Sequence, residues 1–205
     1  MPVDPAVEVE LARGVMAGDP EAFERFVEHF RTKVFQYSFM MCGHREDAEE
    51  VAQETLLKVF ENFDQLREPE RVKAWVFRIA RNMCLMKRRR SIYAPSQELS
   101  IDEFLPLSSG AEGKRTLEIA DGSALPDTQL LQSELREAIH RAISELPDIH
   151  RAVVMLRDIE ELSTEETADV LDVSIDVVKT RLHRGRLALR QKLDEYLQMT
   201  GSLSG

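Results

Sequence analysis

The sequence predicts an all-α protein of two small helical domains joined by a flexible acidic linker. Three observations carry that prediction. Apolar residues recur at spacings of three and four along two long stretches, the period of a helix with one buried face. Glycine and proline are scarce outside a single segment, so little interrupts those stretches. Composition breaks between Ser91 and Leu130, where seven acids stand against two bases, Ser, Gly and Pro collect, and no helical period survives. The domains therefore read as residues 10–92 and 131–197, with 93–130 as the linker. With 43% apolar residues over 205 positions, the chain has enough material for real cores.

The first helix opens at Asp19-Pro20-Glu21: Asp19 caps, Pro20 suits the first helical position, and Glu21 meets the positive end of the helix dipole. Its stripe runs through Phe23, Phe26, Val27, Phe30, Val34, Tyr37 and Met41 to a stop at Gly43. A second helix, about 45–63, buries Ala48, Val51, Ala52, Thr55, Leu56, Val59 and Phe63. Asp47, Glu50, Glu54 and Glu61 share another of its faces. A third covers about 72–90, with Val76, Ile79, Ala80, Met83 and Cys84 apolar. Beyond the linker, helices are expected at about 132–145, ending before Leu146-Pro147, and at 148–158. A further helix follows Ser163, where Ser163 and Glu166 form a capping box. The last begins at Ser174.

Charge is distributed unevenly. The chain holds 37 Asp and Glu against 27 Lys and Arg, yet residues 177–192 carry six bases (Lys179, Arg181, Arg184, Arg186, Arg190 and Lys192) and no acid. Residues 74–90 likewise carry six (Arg78, Arg81, Lys87, Arg88, Arg89 and Arg90) and no acid. No run approaches the roughly 18 apolar residues that span a bilayer, and the acidic opening MPVDPAVEVE lacks a signal peptide's regions. A soluble cytoplasmic protein with no membrane insertion is expected. Cys42 and Cys84 form no C-x-x-C pair. They read as buried thiols on separate helices, with no convincing redox switch between them.

Residues 163–187 have helix-turn-helix dimensions. The first helix keeps Ala168, Val170 and Leu171 apolar, Asp172-Val173-Ser174 makes the turn, and the second helix buries Val177, Val178 and Leu182. In such a unit the early residues of the second helix meet base edges in the major groove. Lys179, Thr180, His183 and Arg184 are the candidates, while Arg181 and Arg186 suit phosphates. The plain alternative is a basic helix end complementing its own dipole. In the first domain Trp75, Arg78 and Asn82 share one stripe, so an aromatic, a guanidinium and an amide line up. Unstacked single-stranded bases need such a set, stacking contributing about 1–3 kcal/mol per base. Here the alternative is a core tryptophan beside a solvated basic helix end. The acidic face of the second helix is either solvated or a dock for a basic protein.

Four segments in order resemble the extracytoplasmic-function (ECF) sigma factors of bacterial RNA polymerase. They are GDPEAFERFVEHF (18–30), DAEEVAQETLLKVFENF (47–63), AWVFRIARNMCLMKRRR (74–90) and the run from AISELPDIH to LRQKL (142–193). The resemblance implies that Asp47, Glu50, Gln53 and Glu54 contact the clamp of the polymerase's largest subunit. It implies that the third helix and the loop before it, with Arg71, Lys73, Trp75, Arg78, Arg81 and Asn82, recognise and melt the −10 promoter element. The last helix, with Lys179, Thr180, Arg181, His183, Arg184 and Arg186, would read the −35 element. The acidic linker would occupy the RNA exit channel, and an anti-sigma factor would hold the protein inactive. Two departures stand out: Thr167 replaces a usual apolar residue, and Asp172 replaces the usual Gly of the turn.

Other classes fit less well. A stand-alone helix-turn-helix repressor needs a dimer interface, and the first block shows no dimerising heptad. An interaction protein without nucleic acid leaves two acid-free cationic helices unexplained. An enzyme is not expected: the five histidines are scattered, one E-x-x-H (Glu137, His140) stands where a di-iron bundle needs two, and no phosphate loop or zinc pattern occurs. No cofactor or metal is expected.

Overall fold

The computed structural model describes residues 5–92 and 126–201, with side chains over 6–89 and 134–196. Among these residues there are eight α-helices and no strand. They are α1 (Pro5–Met16), α2 (Pro20–Cys42), α3 (Arg45–Glu61), α4 (Val72–Ile92), α5 (Pro126–Ser144), α6 (Asp148–Val154), α7 (Thr164–Leu171) and α8 (Ile175–Gly201). Short 3₁₀ turns at Phe63–Gln65 and Pro69–Arg71 lead into α4, and a π turn at Met155–Ile159 follows α6.

The ends of α2 follow from their residues. Asp19 accepts from the Glu21 amide at 3.0 Å, and Gly43 takes the left-handed conformation (φ 80°) that closes the helix onto the Phe39 carbonyl. The expected apolar stripe of α3 is buried, with Ala48, Val51, Thr55 and Val59 at zero exposure and Leu56 half-buried. Thr55 reaches no polar partner outside its helix; its hydroxyl donates to the Val51 carbonyl one turn back, at 2.7 Å.

Some bounds differ from expectation. Helix α1 goes beyond the sequence reading, which opens the first helix at Asp19: its apolar side (Leu11, Ala12, Val15) is short, and it packs on the next helix, α2, and on α4 and the turn before α4. Helix α5 begins at Pro126, within the stretch assigned to the linker, proline being well suited to a first helical turn. The helix expected over 148–158 is α for one stretch only and then widens into the π turn. The linker's residues 93–125 lie outside the described residues.

The first four helices pack as a bundle, α3 against both α2 and α4. The last four form a second group, with α8 crossing α5, α6 and α7. The two groups share one buried apolar cluster, in which Phe30, Val34 and Phe77 are continuous with Leu156, Leu162, Val170 and Val178. Polar contacts close the seam between them. Arg71 pairs with Asp169 and Arg88 with Asp148. Arg151 donates to the Met40 carbonyl at 2.9 Å, and to those of Ser144 and Leu146 at 2.6 and 2.7 Å. Phe39 stacks on His140, ring centres 5.7 Å apart.

Candidate nucleic-acid interface

The α7–turn–α8 unit is built from local signals. Ser163 accepts from the Glu166 amide at 3.0 Å while the Glu166 carboxylate accepts from the Ser163 amide at 2.7 Å, so both halves of the capping box form. Asp172 takes the left-handed conformation (φ 53°, ψ 51°) that the turn demands. Behind it, Val178 is fully buried, and Val177 and Leu182 are half-buried.

That anchoring turns Lys179, Thr180, His183 and Arg184 outward, all four exposed. The Thr180 hydroxyl donates to the Asp176 carbonyl at 2.8 Å, leaving its oxygen and methyl facing out. Arg181 is half-buried, and Arg186 is held by Asp158 through two contacts of 3.1 and 2.5 Å. Gly185 lies where α8 crosses α6: a Cβ there would stand 2.9 Å from Val154 Cγ2. The outward quartet is therefore presented by a helix pressed closely against its support.

On α4, Trp75 is half-buried, its ring set edge-on to Phe63 at 5.7 Å. It borders an open cavity of about 210 Å³ whose other walls include Lys58, Asn62, Gln65 and Asn82. One cation, three amide side chains and an aromatic thus surround a single space. Sequence spacing had brought Trp75 and Asn82 together; Lys58, Asn62 and Gln65 come from the end of α3 and the turn after it, which no helical period could align. Arg78 and Asn82 are exposed, and Arg81 is half-buried.

Arg71 and Lys73 face elsewhere. Arg71 pairs with Asp169 across the seam, and Lys73, 19% exposed, lies 3.7 Å from Glu8 and 4.0 Å from Glu160. Burial works to raise the Glu8 carboxyl, but hydrogen bonds from Lys33 and His29, together with Lys73, hold it below the usual range. Glu160 is 3% exposed, and burial pushes it up to about 7, against the pull of Lys73 and Lys33.

Along α3, Gln53 and Glu54 are exposed, and their side chains make no hydrogen bond or ion pair with another of the described residues. Asp47 and Glu50 share Lys87 of α4, at 3.2 and 2.6 Å. Leu57 and Phe60 add an exposed apolar strip to this face, which the charge pattern had hidden. Among the described residues no group of three or more His, Cys, Asp or Glu is arranged to hold a metal ion, and no helix is long and apolar enough to cross a membrane.

A capped helix-turn-helix with a cationic outer face, joined in one chain to a basic helix beside an aromatic cavity, defines a two-part DNA-binding transcription protein. Family models agree in detail: residues 26–91 match Sigma-70 region 2, and residues 136–189 match Sigma-70, region 4. The ECF RNA polymerase sigma factor SigW of Bacillus subtilis is 33% identical over 181 residues, 87% of this chain and 92% of that one. The ECF RNA polymerase sigma-E factor of Escherichia coli K12 is 29% identical over 194 residues, 92% of this chain and 95% of that one. Among solved structures, the sigma factor RpoE of Bartonella quintana, in complex with the anti-sigma factor NepR, is similar at a TM-score of 0.60 and 20% identity. That match covers 84% of this chain and 96% of that one. CnrH, in complex with the cytosolic domain of CnrY, is similar at 0.58 and 22%, covering 92% and 98%. The chain belongs to the ECF RNA polymerase sigma factors. It is an alternative sigma factor, a transcription initiation factor.

Proposed function

We propose that this chain binds core RNA polymerase through α3 and directs initiation at promoters read in two places. Residues 10–92 form the polymerase-binding and −10 part, and residues 131–197 the −35 part, with 93–130 linking them. Gln53 and Glu54, with Asp47 and Glu50, contact the clamp of the largest subunit. The cavity beside Trp75 receives a base taken out of the stack, with Asn82 at its rim and Arg78 and Arg81 near the strand's phosphates. Lys179, Thr180, His183 and Arg184 meet base edges of the −35 element, while Arg181 and Arg186 serve its backbone. The observation that carries this reading is the aromatic cavity, because stacking plus amide hydrogen bonding is what captures a flipped base.

Arg71 joins the −10 set only if the seam opens, since Asp169 holds it in the closed form; opening also frees Lys73 from Glu160, leaving it beside Glu8 of its own group. The free protein is therefore a poor DNA binder, and its excess of acids over bases repels random DNA besides. Docking on polymerase separates the two groups of helices. Control by an anti-sigma factor is part of the same reading, supported by the similar RpoE, which was solved in complex with the anti-sigma factor NepR. The compartment is the cytoplasm, where polymerase works, and the chain itself has no catalytic role.

Core polymerase lacking any sigma factor tests this. Gel filtration followed by fluorescence titration should show tight one-to-one binding, and Gln53→Ala with Glu54→Ala should weaken it at unchanged thermal stability. Well-folded protein that fails to bind core would overturn the proposal.

A further inference from the structure

Among the described residues of the second group of helices, Glu160 is the one acid buried almost completely, at 3% exposure. Its backbone setting is unusual on both sides. The five residues before it form the π turn, closed by the Glu160 amide donating to the Met155 carbonyl at 2.9 Å. The residue after it, Glu161, takes the left-handed conformation (φ 57°), which is strained for a side chain of this kind. Leu162, 2% exposed, then anchors the chain by donating to the Leu156 carbonyl at 2.9 Å. Such turns and left-handed residues persist where the surroundings fix them, and they collect at functional sites. Here the two of them bracket a carboxylate turned inward.

What Glu160 meets belongs to the first group. The Lys73 ammonium of α4 lies 4.0 Å away, beyond hydrogen-bond reach. Lys73 is closer, at 3.7 Å, to Glu8 of α1. Glu8 also accepts from Lys33 of α2 at 2.5 Å and lies 3.1 Å from His29 of the same helix. Two buried carboxylates, one from each group, thus share a lysine, and Glu8 has the better partners. The Glu160 carboxylate makes no hydrogen bond with another of the described residues. Buried without a donor, its anion is poorly supported, whereas its protonated form loses less on burial.

We infer that Glu160 is a proton-operated latch of the seam: protonated, it rests against Lys73 and Glu8, and ionised, it drives the two groups of helices apart. Burial, the largest influence, pushes the carboxyl up to about 7 against the pull of Lys73 and Lys33, with Glu8 and Glu161 adding to the rise. In the open form water reaches it, and it returns to the ordinary 4.5. Closing therefore takes up a proton between these two values. The latch is fully set below about pH 4.5 and is released as pH rises through 7. Glu8 moves the other way, since its partners hold it below the usual range, so it stays charged while Glu160 titrates. His29 is the other group of this cluster whose type titrates near neutrality, and the test separates the two. The latch itself does not depend on promoter reading; that its release frees Arg71 and Lys73 for DNA rests on the function proposed above.

Two measurements on the full chain test it. Carboxyl-carbon nuclear magnetic resonance follows Glu160, assigned by the signal lost in Glu160→Gln, and the expected midpoint lies near pH 7. Small-angle scattering then reads the seam in Asp148→Asn, which removes the partner of Arg88 and weakens the closed form. From about pH 6 to 8.5 the ratio of open to closed protein should rise about tenfold, seen as a growing radius of gyration. Adding Glu160→Gln to Asp148→Asn should keep the radius small and constant. A Glu160 midpoint in the ordinary carboxylate range would overturn the inference, as would a radius indifferent to pH in Asp148→Asn. So would an equal expansion with Glu160→Gln present, which would assign the titration to His29.

Discussion

Thr167 has no exposed surface, and its hydroxyl finds no hydrogen-bond partner. A buried hydroxyl without a partner costs roughly 1–3 kcal/mol, whereas a methyl in its place fills the same space. Thr167→Val should therefore stabilise the fold by about 1 kcal/mol, raising Tm by ~2–4 °C in a chain of this size; differential scanning calorimetry measures it directly. Glu160 is a second residue at odds with its surroundings. Its folded pKa of about 7 lies above the ordinary 4.5, so the folded protein holds a proton that the unfolded chain releases. The stability this proton gives is fully present below about pH 4.5 and is lost as pH rises through 7. Glu160→Gln should remove that dependence and be the more stable protein at pH 8, by on the order of 3 kcal/mol. Urea unfolding of both proteins from pH 5 to 8 checks it; parallel curves would show that Glu160 stays ionised.

Helix α8 shows how an element can be set by one small residue. A glycine inside a helix normally costs about 1 kcal/mol against alanine, so Gly185 looks like a defect in a helix that must be rigid. The crossing with α6 supplies the reason, since a methyl would meet Val154 at 2.9 Å and Val154 is fully packed. Overpacking of this kind costs about 1–3 kcal/mol, more than the propensity gain. Gly185→Ala is therefore expected to lower stability by about 1 kcal/mol net and to tilt the face carrying Lys179, His183 and Arg184. Denaturant unfolding reads the first effect, and promoter affinity of the polymerase complex the second.

Across the whole molecule, the seam decides which cations are free. Three ion pairs cross it; Arg71–Asp169 and Arg88–Asp148 are partly exposed, so each of those two contributes on the order of 1 kcal/mol or less. Such a seam can open without unfolding either group of helices. Asp148→Asn combined with Asp169→Arg should expand the free protein, seen as a larger radius of gyration in small-angle scattering at unchanged far-UV circular dichroism. An unchanged radius would mean that apolar packing alone keeps the groups together.

Much of the site was legible before any coordinates. The caps at Asp19 and Ser163, the left-handed stops at Gly43 and Asp172, and the outward quartet on α8 all follow from local rules, because caps, turns and helical period involve residues within a few positions of each other. Helix α3 was read correctly as buried on one side and acidic on another for the same reason. Contacts between residues distant in sequence were not readable. Local period says which face of a helix is apolar, but not which helix will cover it. For that reason the cavity gained Lys58, Asn62 and Gln65 only on folding, and Arg71 and Lys73 met Asp169 and Glu160 across the seam. The sequence by itself determined the helices, their ends and the signs of their charged faces; tertiary structure alone decided which groups meet, because packing depends on the relative placement of whole helices.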